Sequence, residues 1–458
     1  MSNAPATVTD RCSALIAELP TDLVITDPDI TIGYARDQSR FTTNVTPAAV
    51  MAPRTTAETA ECLAAAHRHR AGVVVRGAGT GLSGGANCVP GAVVLSTHRM
   101  NKIVGIDTEN RLATVQPGVV TAALRDAVEA VGLLYPPDPG SVEMCSIGGN
   151  IATNAGGICC VKYGVTGDYV ASLEAVLSDG TVVRTGHRTR KGVVGYDTTR
   201  LLVGSEGSLA VITEATVRLV TKPSNPVTVI ATFAELSDAG NAISAIHHSG
   251  VVYSMVEVLD STTLRAVENH TGMDIGADVD VMLLLQYDGP DAEAVVGATE
   301  ALLSSTAVEI AFSSDPQEAR MLLDARRMAL PALERLGDWL LDDVCVPVPR
   351  ITDLISAIEH TADEYDLTIG VFGHAGDGNL HPTIIFDSGD EASTAAARTA
   401  FAEITDTALE LGGTVSGEHG VGQLKLPWLT RELDTADLAL QRRLRHAFDP
   451  LGILSPGE

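Results

Sequence analysis

The sequence predicts an α+β protein of more than one domain, and three observations predict it. The first half is dense in glycine loops set between short apolar strands. In the second half, strands and helices alternate as in an antiparallel sheet with helices on one face. Between the halves, Pro223 and Pro226 interrupt the chain where the pattern changes, which marks a domain boundary. At 458 residues the chain also exceeds one ordinary core, so two or three domains are expected.

The elements come in this order along the chain. Residues 10–19 form a helix, and a polar stretch runs on to residue 40. Residues 55–70 form a second helix, with Thr56 as its cap and Glu58 and Glu61 in its first turns, where acids suit the dipole. A short buried strand comes next at 73–75, then strands at 92–96, 103–107 and 112–115. The helix at 121–131 stops at Gly132, a glycine C-cap. Strands at 173–177 and 181–184 flank Asp179-Gly180, a hairpin signal. An alternating strand spans 210–219. Beyond the prolines, strands at 227–232, 252–259 and 281–287 alternate with helices at 236–249, 291–304 and 316–336. The tail, 448–457, is rich in turn formers.

Composition narrows the function. A hydrophobic content of 45% is that of a globular protein. A formal charge of −27 argues against nucleic acid, whose phosphates need a basic surface. A local Arg or Lys can still hold a small anion. No stretch nears the roughly 20 apolar residues of a spanning helix, and no basic-then-apolar leader opens the chain. The expected compartment is the cytoplasm, with peripheral membrane contact through a partner as a variant. The seven cysteines are odd in number and lack CxxC spacing. That argues against a disulfide framework and a zinc ribbon, excludes a fused iron–sulfur domain, and leaves most of them as buried thiols.

Two glycine-rich loops admit two readings, a ligand site and plain tight turns. Arg76-Gly77-Ala78-Gly79-Thr80-Gly81-Leu82-Ser83-Gly84-Gly85 comes after a short strand. Its backbone N–H groups can converge on an anion, and a diphosphate suits it. The spacing is near a G-x-G-x-x-G fingerprint. No long helix comes after it, however, and no acid closes a second strand about 20 residues on, so a Rossmann site is not expected. The second loop runs from Pro136-Pro137-Asp138-Pro139-Gly140 through Ser146-Ile147-Gly148-Gly149-Asn150 to Asn154-Ala155-Gly156-Gly157. With so few large side chains it is expected to pack backbone against a flat ligand rather than build core.

Residues 371–386, VFGHAGDGNLHPTIIF, read as a hairpin about Asp377-Gly378. If those two residues centre the turn, His374 faces His381, close enough for two imidazoles to share a divalent metal. The alternative is a polar tip with two exposed histidines. Glu418-His419, a further carboxylate and imidazole between glycines, favours a site.

Together these motifs resemble a known family. RGAGTGLSGG, PPDPGS, SIGGNIATNAGG, GYDTTRLLVGSEGSLAVITEATVRL, GHAGDGNLH, SGEHGVG and DPLGILSPG succeed one another across nearly the whole chain. Their order and wording are similar to those of FAD-linked 2-hydroxyacid dehydrogenases of the vanillyl-alcohol-oxidase type. That family includes D-lactate dehydrogenases, the FAD subunit of glycolate oxidase and D-2-hydroxyglutarate dehydrogenase.

The resemblance implies an N-terminal segment (1–40), a two-subdomain FAD-binding domain of PCMH type (41–222) and a C-terminal substrate and metal domain (223–458). It implies that Arg76, Gly77, Ala78, Gly79, Thr80, Gly81, Ser83 and Gly84 cradle the FAD diphosphate. Pro137, Asp138, Ser141, Gly148, Gly149, Asn154, Gly156 and Gly157 would line the cofactor, and Glu206, Gly207 and Ile212 would meet its nucleotide end. Some relatives tether flavin to a histidine in the first loop. Gly79-Thr80-Gly81 stands there here, so FAD is expected to be non-covalent, with Cys145 the one thiol to watch. By the same resemblance His374, His381 and Glu418 are metal ligands for Zn, Mn or Fe, a set that leaves positions open to substrate. His419 is the base, Arg326 holds the substrate carboxylate, and Asn379 assists.

The reaction implied is oxidation of a D-2-hydroxy acid to the 2-oxo acid, with hydride passing to flavin N5. Leu330 and Leu341 stand where dicarboxylate-specific relatives place polar partners, so a D-lactate-like monocarboxylate is expected. Glycolate and D-2-hydroxyglutarate are the alternatives. A sugar or alditol oxidase, a non-catalytic flavin-binding subunit and a flavin-free metallohydrolase fit the residues less well. A quinone, a cytochrome, an electron-transfer flavoprotein and an iron–sulfur subunit are all open as electron acceptor. One departure is Ser455, where the family has Asn before Pro-Gly.

Overall fold

A computed structural model describes residues 8–223, 226–273, 275 and 279–456, and the chain divides into two compact units. Gly457, at the end of the turn-rich tail, lies outside the described residues. The first unit comprises the described residues up to Ala155, Val165–Lys222 and the stretch that begins at Glu418. The second comprises Gly156–Gly164 and the described residues from Pro223 to Gly417. Among the described residues, no helix is long and apolar enough to cross a membrane.

In the first unit, a four-stranded sheet runs in the order Val24–Ile25, Val50–Met51, Ala92–Ser96, Gly72–Arg76. Its last three strands are parallel. The helix Thr56–His69 lays Cys62, Leu63, Ala65 and Ala66 into the core formed with Val73, Val93 and Leu95. Its cap is Thr55 rather than the expected Thr56: the Thr55 hydroxyl accepts the Glu58 N–H at 3.1 Å. Both threonines suit the role by type, and only backbone geometry separates them, since Thr55 is extended.

A five-stranded antiparallel sheet completes this unit, in the order Ile103–Asp107, Leu112–Val115, Val211–Arg218, Val170–Val176, Val182–Gly186. Residues 453–455 join the first sheet. Val73 N–H donates to Ile453 O at 2.7 Å, and Ser455 N–H donates to Val73 O at 2.9 Å. Ser455 has φ of 40°, a left-handed conformation that asparagine tolerates better than most residues.

The second glycine-rich stretch differs from expectation. It holds a helix, Ile147–Thr153, capped by Ser146 and closed by Asn154 at φ 54°. Gly148 and Gly149 hide it, because glycine is a poor helix former. Ile147 and Ile151 are fully buried, so this run does build core.

The second unit is an antiparallel sheet of eight strands. The order is Glu309–Ser313, Val227–Phe233, Val281–Tyr287, Met255–Asp260, Thr368–His374, Asn379–Phe386, Asp338–Leu341, with Val344–Cys345 also paired to Asn379–Phe386. Helix Leu236–His248 packs on the strands Val227–Phe233 and Val281–Tyr287. The helix expected over 316–336 is two, Pro316–Arg327 and Ala329–Leu333. Pro331 has no N–H to bond the Arg327 carbonyl, and the chain breaks at Met328. The segment Gly156–Gly164 is fastened within this unit by Asp288, whose carboxylate takes Lys162 and the Tyr163 hydroxyl, the latter at 2.5 Å.

Candidate functional site

The histidine hairpin is built with a register other than the expected one. His374 pairs with Asn379, and His381 pairs with Phe372. The loop therefore has four residues, 375–378, and both Asp377 and Gly378 donate to the His374 carbonyl, at 3.2 and 3.0 Å. The neighbouring segment decides this. Val346 N–H donates to Gly378 O at 3.0 Å, and a Cβ at Gly378 would lie 2.0 Å from Val346 O. Gly378 also has φ of 90°. His374 and His381 still meet, as diagonal neighbours on one face, with ring centroids 5.1 Å apart.

Each imidazole has a buried carboxylate on its far side. Glu257 is in register with His374 on the adjacent strand, and its Oε1 lies 2.6 Å from His374 Nδ1. Asp343 Oδ1 lies 3.6 Å from His381 Nδ1. Asp343 is held in turn by the Ser416 hydroxyl, which donates to Oδ2 at 2.7 Å. The two Nε2 atoms then face each other at 3.3 Å. A carboxylate hydrogen-bonded to the outer nitrogen, as Glu257 is to His374, is the usual support for a histidine that binds metal. Bonds of 2.0–2.1 Å in tetrahedral geometry put ligand nitrogens roughly 3.3 Å apart, so this pair fits a divalent metal.

Arg326, on the helix Pro316–Arg327, reaches the same carboxylate. Its Nε and Nη2 both lie 2.6 Å from Glu257 Oε2, and its guanidinium stands 4.8 Å over the Phe372 ring. One oxygen of Glu257 thus serves Arg326 and the other His374. Asn379 is 5% exposed, with no hydrogen-bond partner for Oδ1 among the described residues. The structure brings Arg326, His374, His381 and Asn379 into the second unit with two acids that sequence reading missed, Glu257 and Asp343. The signal was present: Glu257 is the lone acid of the apolar run Met255-Val256-Glu257-Val258-Leu259, and Asp343, with Asp342, interrupts another apolar run.

The first unit holds the other predicted residues. Among the described residues, no backbone N–H from Gly77 to Ser83 donates to a protein group. Arg76 lies beneath this loop: its Nη1 donates to Ala86 O at 3.3 Å, and a Cβ at Gly79 would lie 2.1 Å from its Nη2. A row of unspent donors over a buried guanidinium fits a diphosphate. The second glycine loop abuts the first, since a Cβ at Gly77 would meet Ser146 Oγ at 2.5 Å and Gly149 at 3.5 Å. Gly148 N–H is spent on Pro117 O at 2.7 Å, and Asn154 Oδ1 accepts Gly167 N–H at 2.8 Å. Asp138 is buried beside Arg125, which also donates to Pro137 O at 3.0 Å. Ser141 is partly exposed, and Ile212 is buried in the strand Val211–Arg218. A Cβ at Gly207 would press on Val75 at 3.1 Å. Gly156 and Gly157 fall at the start of the second unit instead. Cys145 donates its thiol to Thr121 Oγ1 at 3.2 Å.

Glu418 and His419 open the last stretch of the first unit, with His419 Nε2 3.8 Å from Glu418 Oε1. Residues 419–424 are sewn to the first glycine loop. The Ser83 hydroxyl reaches the His419 and Gly420 carbonyls at 3.2 and 2.9 Å. Gln423 and Leu424 N–H donate to Ser83 O at 2.9 and 3.0 Å. Glu206, itself at φ 49°, accepts Val421 and Gly422 N–H at 2.9 Å each. Burial lifts the Glu206 carboxyl above its ordinary range.

Comparison with known proteins bears out the FAD part of this reading. Residues 222–458 match the FAD linked oxidases, C-terminal domain, and residues 47–186 match the FAD binding domain. The chain belongs to the FAD-linked oxidase family and is an FAD-binding oxidoreductase. It is 44% identical to the glycolate oxidase subunit GlcD of Bacillus subtilis, over 90% of this chain and 88% of the relative. It is 35% identical to a D-lactate dehydrogenase of Archaeoglobus fulgidus, over 89% and 90%. In fold it is similar to p-cresol methylhydroxylase, with a TM-score of 0.80 and 16% identity over 98% of this chain and 96% of that one. The PCMH-type, two-domain α+β fold expected from sequence is therefore the fold observed.

Proposed function

We propose that this oxidoreductase dehydrogenates a small D-2-hydroxy monocarboxylate, D-lactate or a larger apolar homologue, to the 2-oxo acid. One observation carries the reading: an arginine fork and one histidine of a close imidazole pair share a single buried carboxylate, Glu257, in an FAD-linked oxidase. Bound FAD supplies the hydride acceptor, and a divalent metal supplies a Lewis acid for the substrate hydroxyl. His374 and His381 would hold that metal through Nε2. Glu418, directly after Gly417 in the chain, would add the third ligand. Arg326 pairs with the substrate carboxylate through the guanidinium edge that Glu257 leaves open. Asn379 offers its amide to the same substrate. His419 accepts the hydroxyl proton at a ring nitrogen, and Arg326 and Asn379 keep the acid oriented while it does so. The glycine loop at 76–84 would hold the diphosphate, and the side-chain environment of Cys145 supports a non-covalent flavin.

Glycolate is the second reading, favoured by the 44% identity to a glycolate oxidase subunit. Leu341 is buried at 5% exposure, which supports a monocarboxylate over D-2-hydroxyglutarate. The test is an anaerobic absorbance titration of the purified flavoprotein with D-lactate, L-lactate, glycolate and D-2-hydroxyglutarate in turn. Bleaching of the flavin band by D-lactate and not by L-lactate is expected. Bleaching by glycolate alone would select the second reading, and bleaching by none would refute both.

A further inference from the structure

Glu257 itself takes no chemical step in the proposed reaction, yet it is fully buried in a sheet and touches two groups that take part. Its Oε1 is 2.6 Å from His374 Nδ1 and its Oε2 is 2.6 Å from Arg326. Strand register puts it there, because Glu257 and His374 are direct partners on adjacent antiparallel strands. An ionised carboxylate only accepts hydrogen bonds. A neutral His374 must therefore carry its proton on Nδ1, which leaves a lone pair on Nε2. That lone pair faces His381 Nε2 at 3.3 Å. Arginine only donates, so it fixes the other oxygen of Glu257 as an acceptor as well. We propose that Glu257 is a positioning residue that locks His374 in the Nδ1–H tautomer and so presents Nε2 to a divalent cation.

This inference rests on the proposed metal reading of His374 and His381, and it singles out one substitution. In Glu257→Gln the shape is kept, but one oxygen becomes an NH₂ group. Arg326 cannot accept from that group, so it must turn to His374 Nδ1, which then has to be bare. The histidine proton moves to Nε2 and blocks the lone pair. A role in packing alone would not respond to an isosteric change in this way.

The experiment titrates Mn²⁺ into the full-length flavoprotein and tracks free Mn²⁺ by EPR, for the wild type, Glu257→Gln, Glu257→Asp and His374→Ala. Flavin content and melting temperature are recorded alongside. Expected are one site in the wild type, its loss in His374→Ala and an affinity about 10–100-fold weaker in Glu257→Gln, the usual cost of losing such a support. Glu257→Asp, which keeps an acceptor, should recover part of that loss, with flavin content unchanged throughout. Wild-type affinity in Glu257→Gln beside a failed His374→Ala would overturn the role of Glu257 and leave the metal site standing. No Mn²⁺ binding in the wild type, or full binding in His374→Ala, would overturn the metal reading and this one with it. Should Glu257→Gln not fold, ¹⁵N imidazole NMR of the metal-free wild type decides, the His374 signals being those absent from His374→Ala. A proton on Nδ1 supports the lock, and a proton on Nε2 refutes it.

Discussion

Glu206→Ala tests whether the loop that carries Glu418 and His419 depends on a carboxylate more than 200 residues earlier in the chain. Glu206 accepts two backbone N–H groups, those of Val421 and Gly422, at 2.9 Å each. A hydrogen bond to a charged group nets about 1.5–3 kcal/mol, so the pair is worth about 3–6 kcal/mol before other terms. Removing the carboxylate also relieves its burial, which opposes ionisation. The balance is a loss of about 2–4 kcal/mol, concentrated on residues 419–422. Ser83 still holds the His419 and Gly420 carbonyls, so the loop should loosen rather than detach. A loosened base costs rate, since a misplacement of about 1 Å can cost about 10²-fold. The assay is stopped-flow reduction of the flavin at saturating D-2-hydroxy acid, with flavin content and melting temperature measured on the same sample. The limiting reduction rate should fall about 10–100-fold while flavin stays bound. Unchanged melting temperature and a rate within about twofold of wild type would refute the argument.

Two further outcomes are expected. His419→Ala should lower the limiting rate of flavin reduction by at least about 10²-fold with bound flavin intact, and near-normal turnover would remove His419 from the reaction. Asp260 caps the helix Ser261–Thr271 through Thr263 N–H, and burial lifts its carboxyl from 3.8 to about 6. With its pKa raised, the folded state binds the proton more tightly than the unfolded state. Stability from this group is therefore present below about pH 4 and is lost as pH rises through about 6, by up to about 3 kcal/mol. Asparagine keeps the cap without the charge. The melting temperature of Asp260→Asn relative to wild type should rise between about pH 4 and pH 7, and parallel melting curves across that range would contradict the assignment.

The sequence alone determined much of this protein. The strands at 92–96, 103–107 and 112–115, the boundary prolines and the loops at 76–85 and 374–381 are legible because glycine, proline and apolar alternation act locally. The family emerged from the order of its motifs. Tertiary structure decided the rest. Thr55 displaced Thr56 as a cap on backbone angle alone. Val346 lengthened the histidine hairpin by holding Gly378, so His381 found Phe372 across the ladder and still met His374 diagonally. Glu257 and Asp343 were visible as acids in apolar runs, but no local rule says which buried acid supports which histidine. That pairing depends on strand register between Met255–Asp260 and Thr368–His374, segments more than 100 residues apart. A one-residue slip there would turn Glu257 to the other face of the sheet and leave Arg326 and His374 without their shared carboxylate.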